Sequence, residues 1–318
     1  MKKLCFVIIF ITIGLLAKGN EHNFSLGTSI GILYGQSEEI VYRNRDSDEK
    51  LSQLLWDLKP LVYAGANLHY HWQNPFYNWG LFSDVLFKFG LPGNTGYMED
   101  RDWMDTQYAN FLTHYSISDN KTESAVLIDF NAGITFNVYQ DWLLKFFVSY
   151  SYMNFSWTAS GGSVLHPYPP DNPNIDHSRG SHGYFKTPID VVTYKQSWNI
   201  VSLGASFYGA FNPYFNIDIS IKLSPLISCM SEDNHILINW IMTDYLYGGF
   251  FIEPNITFSF TPNDFFTLSF SAKYRSINNT RGDSLYNRNN SFTLYRNIGG
   301  AGFSAFDAGI VARLNLGF

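Results

Sequence analysis

Two short acidic motifs carry the side chains best suited to chemistry in this 318-residue chain. The first is Glu99-Asp100-Arg101-Asp102-Trp103-Met104-Asp105 and the second is Ser231-Glu232-Asp233-Asn234-His235. In extended backbone, residues two apart point the same way. Asp100 and Asp102 would then lie side by side, where like charge raises one pKa and lets one carboxyl hold a proton. Asp233 would hydrogen-bond His235, orient it and stabilise its imidazolium. If the two motifs face each other across a cleft, they can polarise a water between them, which is general-base catalysis. Taken alone, an Asp-x-Asp loop is more often a solvated or cation-binding surface feature, and a lone loop histidine is equally weak. It is the pairing of the motifs that makes a candidate site.

The elements that would position them alternate apolar and polar residues. From Ile128 to Val138, Phe130, Ala132, Ile134, Phe136 and Val138 alternate with Asp129, Asn131, Gly133, Thr135 and Asn137. The same period of two runs from Phe215 to Ser224 and from Phe266 to Arg275. Strict alternation indicates strands with two chemically different faces. Ten strands are expected, near 24–35, 50–71, 78–90, 124–138, 142–158, 189–208, 213–229, 245–261, 264–277 and 302–318. Short connections (Gln73–Asn78, Tyr139–Asp141, Gly209–Asn212, Pro262–Asn263) alternate with long ones (36–49, 91–123, 159–188, 230–244, 278–301). An even strand number, short turns on one rim and long loops on the other is the habit of outer-membrane barrels. Within a bilayer, only a closed barrel satisfies the backbone of a sheet. The expected fold is therefore all-β, a transmembrane antiparallel barrel of ten strands with long extracellular loops. Both motifs fall on the long-loop rim, about four strands apart and so across the mouth from one another. A soluble β-sandwich also alternates on one face, but these strands exceed the usual 3–10 residues.

Composition fits that expectation. Aromatic residues make up 18% of the chain while mean hydropathy is near zero, at −0.10. Lipid-facing apolar positions and polar lumen positions average to this value in a membrane barrel. Met1-Lys2-Lys3, an apolar run from Leu4 to Leu16 and Ala17-Lys18-Gly19 read as a secretory signal peptide over 1–19. The run is too short for a membrane-spanning helix. The barrel then occupies 20–318, and the terminal Phe318, with Leu316 and Leu314 before it, resembles the end signal of outer-membrane proteins. Only Cys229 remains in that part, which excludes an internal disulfide framework. Losing Lys2, Lys3 and Lys18 leaves 18 basic against 27 acidic residues, a formal charge of −9. That balance argues against nucleic acid or an anionic membrane surface as a partner and suits cationic substrates. No cofactor is expected. His69, His71, His166, His177 and His182 form no metal-ligand spacing with cysteines, so no metal is expected either.

The chain resembles the omptin family, outer-membrane β-barrel endopeptidases, over nearly all of 20–318. The resemblance rests on Leu26-Gly27, Glu39-Ile40-Val41-Tyr42, Lys50-Leu51-Ser52-Gln53-Leu54-Leu55-Trp56 and Asp102-Trp103-Met104-Asp105. It continues in Thr158-Ala159-Ser160-Gly161-Gly162-Ser163, Tyr194-Lys195-Gln196, Ser284-Leu285-Tyr286 and Gly299-Gly300-Ala301-Gly302. It implies that Asp100 and Asp102 are a carboxylate couple and that Asp233 and His235 are an Asp–His dyad. A water held between them would attack the scissile carbonyl with no covalent intermediate. It also implies a pocket for a basic P1 side chain built on two acids and a methionine. Glu39 and Met98 match, but Ser231 stands at the second acid position, and His114 falls near an acid that selects the residue after the cut. A basic P1 preference that is weakened, and a loose preference after the cut, are expected. The stretch that grips lipid A phosphates reads Tyr150-Ser151-Tyr152-Met153-Asn154, with Ser197 after Tyr194-Lys195-Gln196, so two arginines are missing and lipopolysaccharide dependence is expected to be lost or relocated.

The leading expectation is an outer-membrane endopeptidase with its site facing the extracellular side, acting on peptides or proteins at the cell surface. The alternative is a catalytically idle adhesin or porin-like barrel. A lipid A-modifying enzyme would want a nucleophilic serine near a histidine in the lipid-facing part, and no such pair is evident.

Overall fold

The computed structural model describes residues 22–106, 110–139, 142–167 and 180–317. The expected signal peptide at 1–19, the terminal Phe318, His177 and parts of the connections 139–141 and 159–188 lie outside the described residues. Twelve strands form one antiparallel sheet. They are β1 (His22–Tyr42), β2 (Lys50–Gln73), β3 (Trp79–Gly90), β4 (Gly93–Asp102), β5 (His114–Tyr139) and β6 (Trp142–Pro167). Then follow β7 (Gly180–Asn212), β8 (Phe215–His235), β9 (Trp240–Tyr247), β10 (Phe251–Asn263), β11 (Phe266–Arg288) and β12 (Ser291–Gly317). One turn of 3₁₀-helix, Ile236–Ile238, links β8 to β9. The sheet closes because β1 pairs with both β2 and β12.

The strand count differs from the expected ten because β4 lies within the expected connection 91–123, while the expected strand 245–261 is divided between the end of β9 and β10. β3 and β4 both pair with β2 and β5, one above the other, and the ladder is interrupted at Leu91-Pro92, where proline has no N–H to give. β9 and β10 likewise both lie between β8 and β11. They are separated at Gly248 and Gly249, whose φ values of 79° and 89° are costly for any residue with a Cβ. At each level, therefore, the wall is ten strands round.

A second difference concerns the long connections. Residues 36–42, 93–102, 114–123, 159–167, 230–235, 240–244, 278–288 and 291–301 are strand, not loop. Above the membrane belt both faces of the wall meet water or polar partners. The apolar alternation fades there, but the backbone ladder continues, since unpaired N–H and C=O groups are costly.

Below, the alternation reads as expected. On β1, Leu26, Ile30, Ile32 and Tyr34 are exposed on the outer surface while Ser25 and Ser29 are buried inside. Phe250, Phe258 and Phe260 face outward and Glu253 and Ser259 inward. The lumen at this level holds an ion network. Arg275 lies 3.1 Å from Asp129 and also bonds Glu253, Lys222 lies 3.1 Å from Glu253, and Lys88 pairs with Asp307. Above it sits an aromatic layer. Trp56 stacks on Tyr194 at 5.3 Å, and Trp157 stacks on Phe155 at 5.3 Å, with Phe303 at 5.3 Å on the far side of Phe155. These rings roof the charged lumen and floor the mouth.

Arg275→Met should leave Asp129 and Glu253 as buried carboxylates short of a partner. Breaking a buried pair from one side costs about 3–5 kcal/mol. The unfolding midpoint in urea, followed by gel mobility in micelles, should drop accordingly; a midpoint equal to wild type would mean the lysines suffice.

Candidate functional site

The mouth of the barrel, opposite the short turns and the paired ends Asn23 and Gly317, gathers the residues singled out from the sequence. Asp100 and Asp102 are on β4 and Asp233 and His235 at the end of β8, all in strand and not in loops. Period two then does the positioning. Met98, Asp100 and Asp102 share the inward face of β4, while Glu99 and Arg101 bond one another at 2.5 Å on the other. Ser231, Asp233 and His235 share the inward face of β8. Between β4 and β8 lie β5, β6 and β7, so the two strands stand across the mouth from one another.

The dyad is formed: His235 Nε2 lies 2.7 Å from Asp233 Oδ2, with Asp233 buried and His235 partly open. The imidazole is fixed from the side by Trp240, stacked at 4.7 Å, which in turn packs on Tyr286 at 5.2 Å. Burial alone would lower the His235 pKa. The charge and hydrogen bond of Asp233, with Asp100 and Asp102 across the mouth, overcome that and raise it. The opposite wall behaves as a like-charge pair. Burial first, then the charge of Asp102, holds the Asp100 carboxyl well above the usual carboxylate range. Burial also raises Asp102, although a hydrogen bond from Ser52 and the nearby His114 and His235 oppose it. Asp100 Oδ1 is buried and has no hydrogen-bond partner among the described residues.

Below the dyad is a second acidic group. Glu39, at the top of β1, is fully buried, and neither of its carboxylate oxygens has a hydrogen-bond partner among the described residues. Its register places it opposite Leu54, which is itself opposite Asp100. Burial, then the charges of Asp233, Asp244 and Asp100, pushes its pKa well up. Met98 is buried on the same face as Asp100, and Ser231 is buried on the same face as Asp233.

Sequence reasoning missed Asp244. It sits on β9 directly opposite Ser231, whose hydroxyl donates to Asp244 Oδ2 at 3.0 Å. Burial raises its pKa to about 7, against the hydroxyls of Ser284 and Ser231 and with Asp233 adding to the rise. Asp244 is thus a second buried acid near Glu39, and its charge helps raise the Glu39 pKa. The carboxylate absent at 231 stands one strand away, at the cross-strand neighbour. The signal was available only if 231–244 had been read as a hairpin.

His114 starts β5 opposite Asp102, and His166 lies near the end of β6. Their rings are 4.8 Å apart. On the outer face of the wall, the Tyr150 hydroxyl bonds Asn199 at 2.7 Å, and Asn154 bonds Ser197 at 2.6 Å.

Known proteins agree with this architecture. The chain is 23% identical over 287 residues to the plasminogen activator of Yersinia pestis, covering 80% of this chain and 83% of that one. It is 24% identical to the outer membrane protease IcsP of Shigella flexneri, covering 85% and 83%. With protease 7 of Escherichia coli K12 the identity is again 24%, over 87% and 85%. The crystal structure of outer membrane protease OmpT from Escherichia coli superposes with a TM-score of 0.80 at 18% identity, covering 92% of this chain and 97% of that one, which establishes the barrel fold. The family model described as Omptin family matches residues 20–313, and the chain belongs to that family.

Proposed function

We propose that this barrel is an outer-membrane endopeptidase whose mouth faces the outside of the cell and hydrolyses peptide bonds with an activated water. The observation that carries the reading is the 2.7 Å Asp233–His235 bond set across the mouth from a buried carboxylate couple. The dyad bond uses Nε2 of His235, so Nδ1 is the nitrogen that can take a proton from water. Asp233 holds the ring in that orientation and offsets the positive charge it acquires. Asp100 and Asp102 anchor the water from the opposite side. As its oxygen attacks the scissile carbonyl carbon, its proton passes to His235, which then delivers it to the leaving amine. Water is the nucleophile, and no side chain is acylated.

Glu39 and Asp244 are the base of the P1 pocket in this reading. Two buried carboxylates without a cationic partner among the described residues are the natural receptor for an arginine or lysine side chain, which gains charge-assisted hydrogen bonds from both. The relatives' names, plasminogen activator and outer membrane protease, support a protein substrate. A porin-like role is opposed by the aromatic layer, which roofs the charged lumen with fully buried Trp56, Trp157, Tyr194 and Phe155.

The test is hydrolysis of internally quenched peptides by protein refolded in detergent, followed with pH. His235 works as a base only when neutral, and its pKa is raised by Asp233, Asp100 and Asp102, with His114 also facing it. Activity should therefore climb as pH rises through a value above the ordinary 6.5 of histidine. Asp233→Asn should move that limb to lower pH as well as reduce the rate. A rising limb that ignores Asp233→Asn would sink the dyad.

A further inference from the structure

High on the wall, beside the mouth, one strand edge of the barrel is left open. β12 pairs with β1 only as far up as Gly299, opposite Val41, whereas its pairing with β11 runs on to Ser291. Among the described residues no strand lies along the other side of 292–296, and every residue of 291–296 is exposed. The loop 43–49 that joins β1 to β2 is held below this edge. The Arg281 guanidinium stacks on Tyr42 at 3.9 Å, pairs with Asp48 at 2.9 Å and donates to the carbonyl oxygens of Asn44, Arg45 and Ser47. Asn297 bonds the Arg45 carbonyl at 2.9 Å, so the loop meets β12 just beneath the open stretch.

The hairpin fixes which backbone groups are free. β11 and β12 are joined by the two-residue turn Asn289-Asn290, with φ values of 51° and 63°, the type I′ signature. Its flanking residues Arg288 and Ser291 form a hydrogen-bonded pair, and bonded and non-bonded pairs alternate from there. Ser291, Thr293 and Tyr295 therefore bond β11, while Phe292, Leu294 and Arg296 turn their N–H and C=O groups to the open side. Exposed edges are ordinarily blunted by lysine, proline or a bulge. Here Phe292-Thr293-Leu294-Tyr295 favours strand and carries no charge, and Arg296 is tied to Asp283.

The open edge also continues the P1 pocket. Residues directly opposite one another share a face, which sets Ser231, Asp244, Ser284 and Tyr295 in one inward row across β8, β9, β11 and β12. A strand added beside β12 would place its next inward side chain about 5 Å further along that row. Its lower end would reach the top of β1, where Glu39 stands opposite Ala301. Seen from the couple on β4 and the dyad on β8, Glu39 and Asp244 lie along the part of the wall built by β9, β11, β12, β1 and β2. The residues before the cut lie on that side.

We propose that the open edge of β12 receives the segment of an extended polypeptide substrate that precedes P1, which adds to the sheet as one more strand through the backbone groups of Phe292, Leu294 and Arg296. Main-chain bonds give such a strand its affinity, and alternate side chains face the mouth. The choice of occupant rests on the endopeptidase reading above; capture of an extended peptide at this edge does not.

The test uses the full chain refolded in micelles and two internally quenched peptides that share P1 arginine and the residues after it. One begins at P1 and the other carries six residues before it. The longer peptide should be cleaved with kcat/KM higher by about 10-fold or more, the sum of several net hydrogen bonds. N-methylation of its backbone, one position at a time before P1, should cost about 3–10-fold at every second position and little at those between. Leu294→Pro removes an edge donor without touching a bond to β11, so it should lower the long-to-short ratio by about 3–10-fold. Anisotropy of the labelled long peptide on His235→Ala should show the same period of two in affinity. Equal cleavage of the two peptides, or N-methyl costs without that period, overturns the proposal. If Leu294→Pro does not fold, the N-methyl series on the wild type decides alone. If the wild type hydrolyses nothing, the endopeptidase reading fails and anisotropy still decides the edge. A dimer in micelles that Leu294→Pro dissolves, with no peptide bound, assigns the edge to a second copy of the chain and overturns the substrate.

Discussion

His235→Ala should lower kcat/KM for peptide hydrolysis by about 100-fold or more, the usual contribution of a positioned base. The barrel should remain folded, because His235 is partly exposed at the rim and its contacts are Asp233 and the face of Trp240. Asp233→Ala should cost a similar factor by a different route. It removes the group that orients the ring and supports its positive charge, so the residual rate should rise with pH from a lower starting value. Asp100→Ala should also lose most of the rate, since the water is then held from one side only. These losses should fall in kcat with KM little changed, because the groups act on the water and not on the substrate side chains. The double variant lacking His235 and Asp233 should be no worse than the worse single one, since the two act as a unit. Hydrolysis by His235→Ala at the wild-type rate would remove the mechanism altogether.

How far the sequence displays this site depends on where lipid stops. In the belt, Phe130, Ile134 and Phe136 face out and Asp129 faces in, and the alternation marks both strand and face. The dyad and the couple, at the mouth, are legible for a simpler reason: two residues at spacing two reach the same side of any extended segment, whatever surrounds it. Above the belt that help ends. β4 reads as a loop because Glu99, Asp100, Arg101 and Asp102 are all charged, one face bearing the site and the other the Glu99–Arg101 pair. The wall nonetheless continues through hydrogen bonds to β2 and β5 that leave no trace in hydropathy. Asp244 was invisible for a related reason. It meets Ser231 only through the register of a strand pair. A single sequence shows spacing along the chain but not pairing between strands.

That register carries the second large effect. Asp244→Asn should reduce kcat/KM for substrates with arginine at P1 by roughly 30-fold or more, since truncating one partner of a buried, hydrogen-bonded charge pair costs about 2–5 kcal/mol. Substrates with apolar P1 residues should lose far less. Glu39→Gln should do the same, and the two changes together should leave little preference for a basic residue. The pH dependence separates this account from a general loss of fold. With the pocket empty, burial pushes Asp244 up to about 7 and Glu39 well above its ordinary range, under the added charge of Asp233 and Asp100. An entering guanidinium favours the ionised forms, so binding releases protons. KM for a P1-arginine peptide should therefore fall as pH rises through about 7, the limb set by Asp244. Asp244→Asn should flatten that limb, whereas a peptide with alanine at P1 should show none of it. Ser231→Asp should not sharpen selection here, because it sets a third carboxylate against Asp244 where a hydroxyl now donates to it. If arginine and leucine at P1 are cleaved equally well by the wild type, or if Asp244→Asn leaves the choice untouched, Glu39 and Asp244 do not form the P1 pocket.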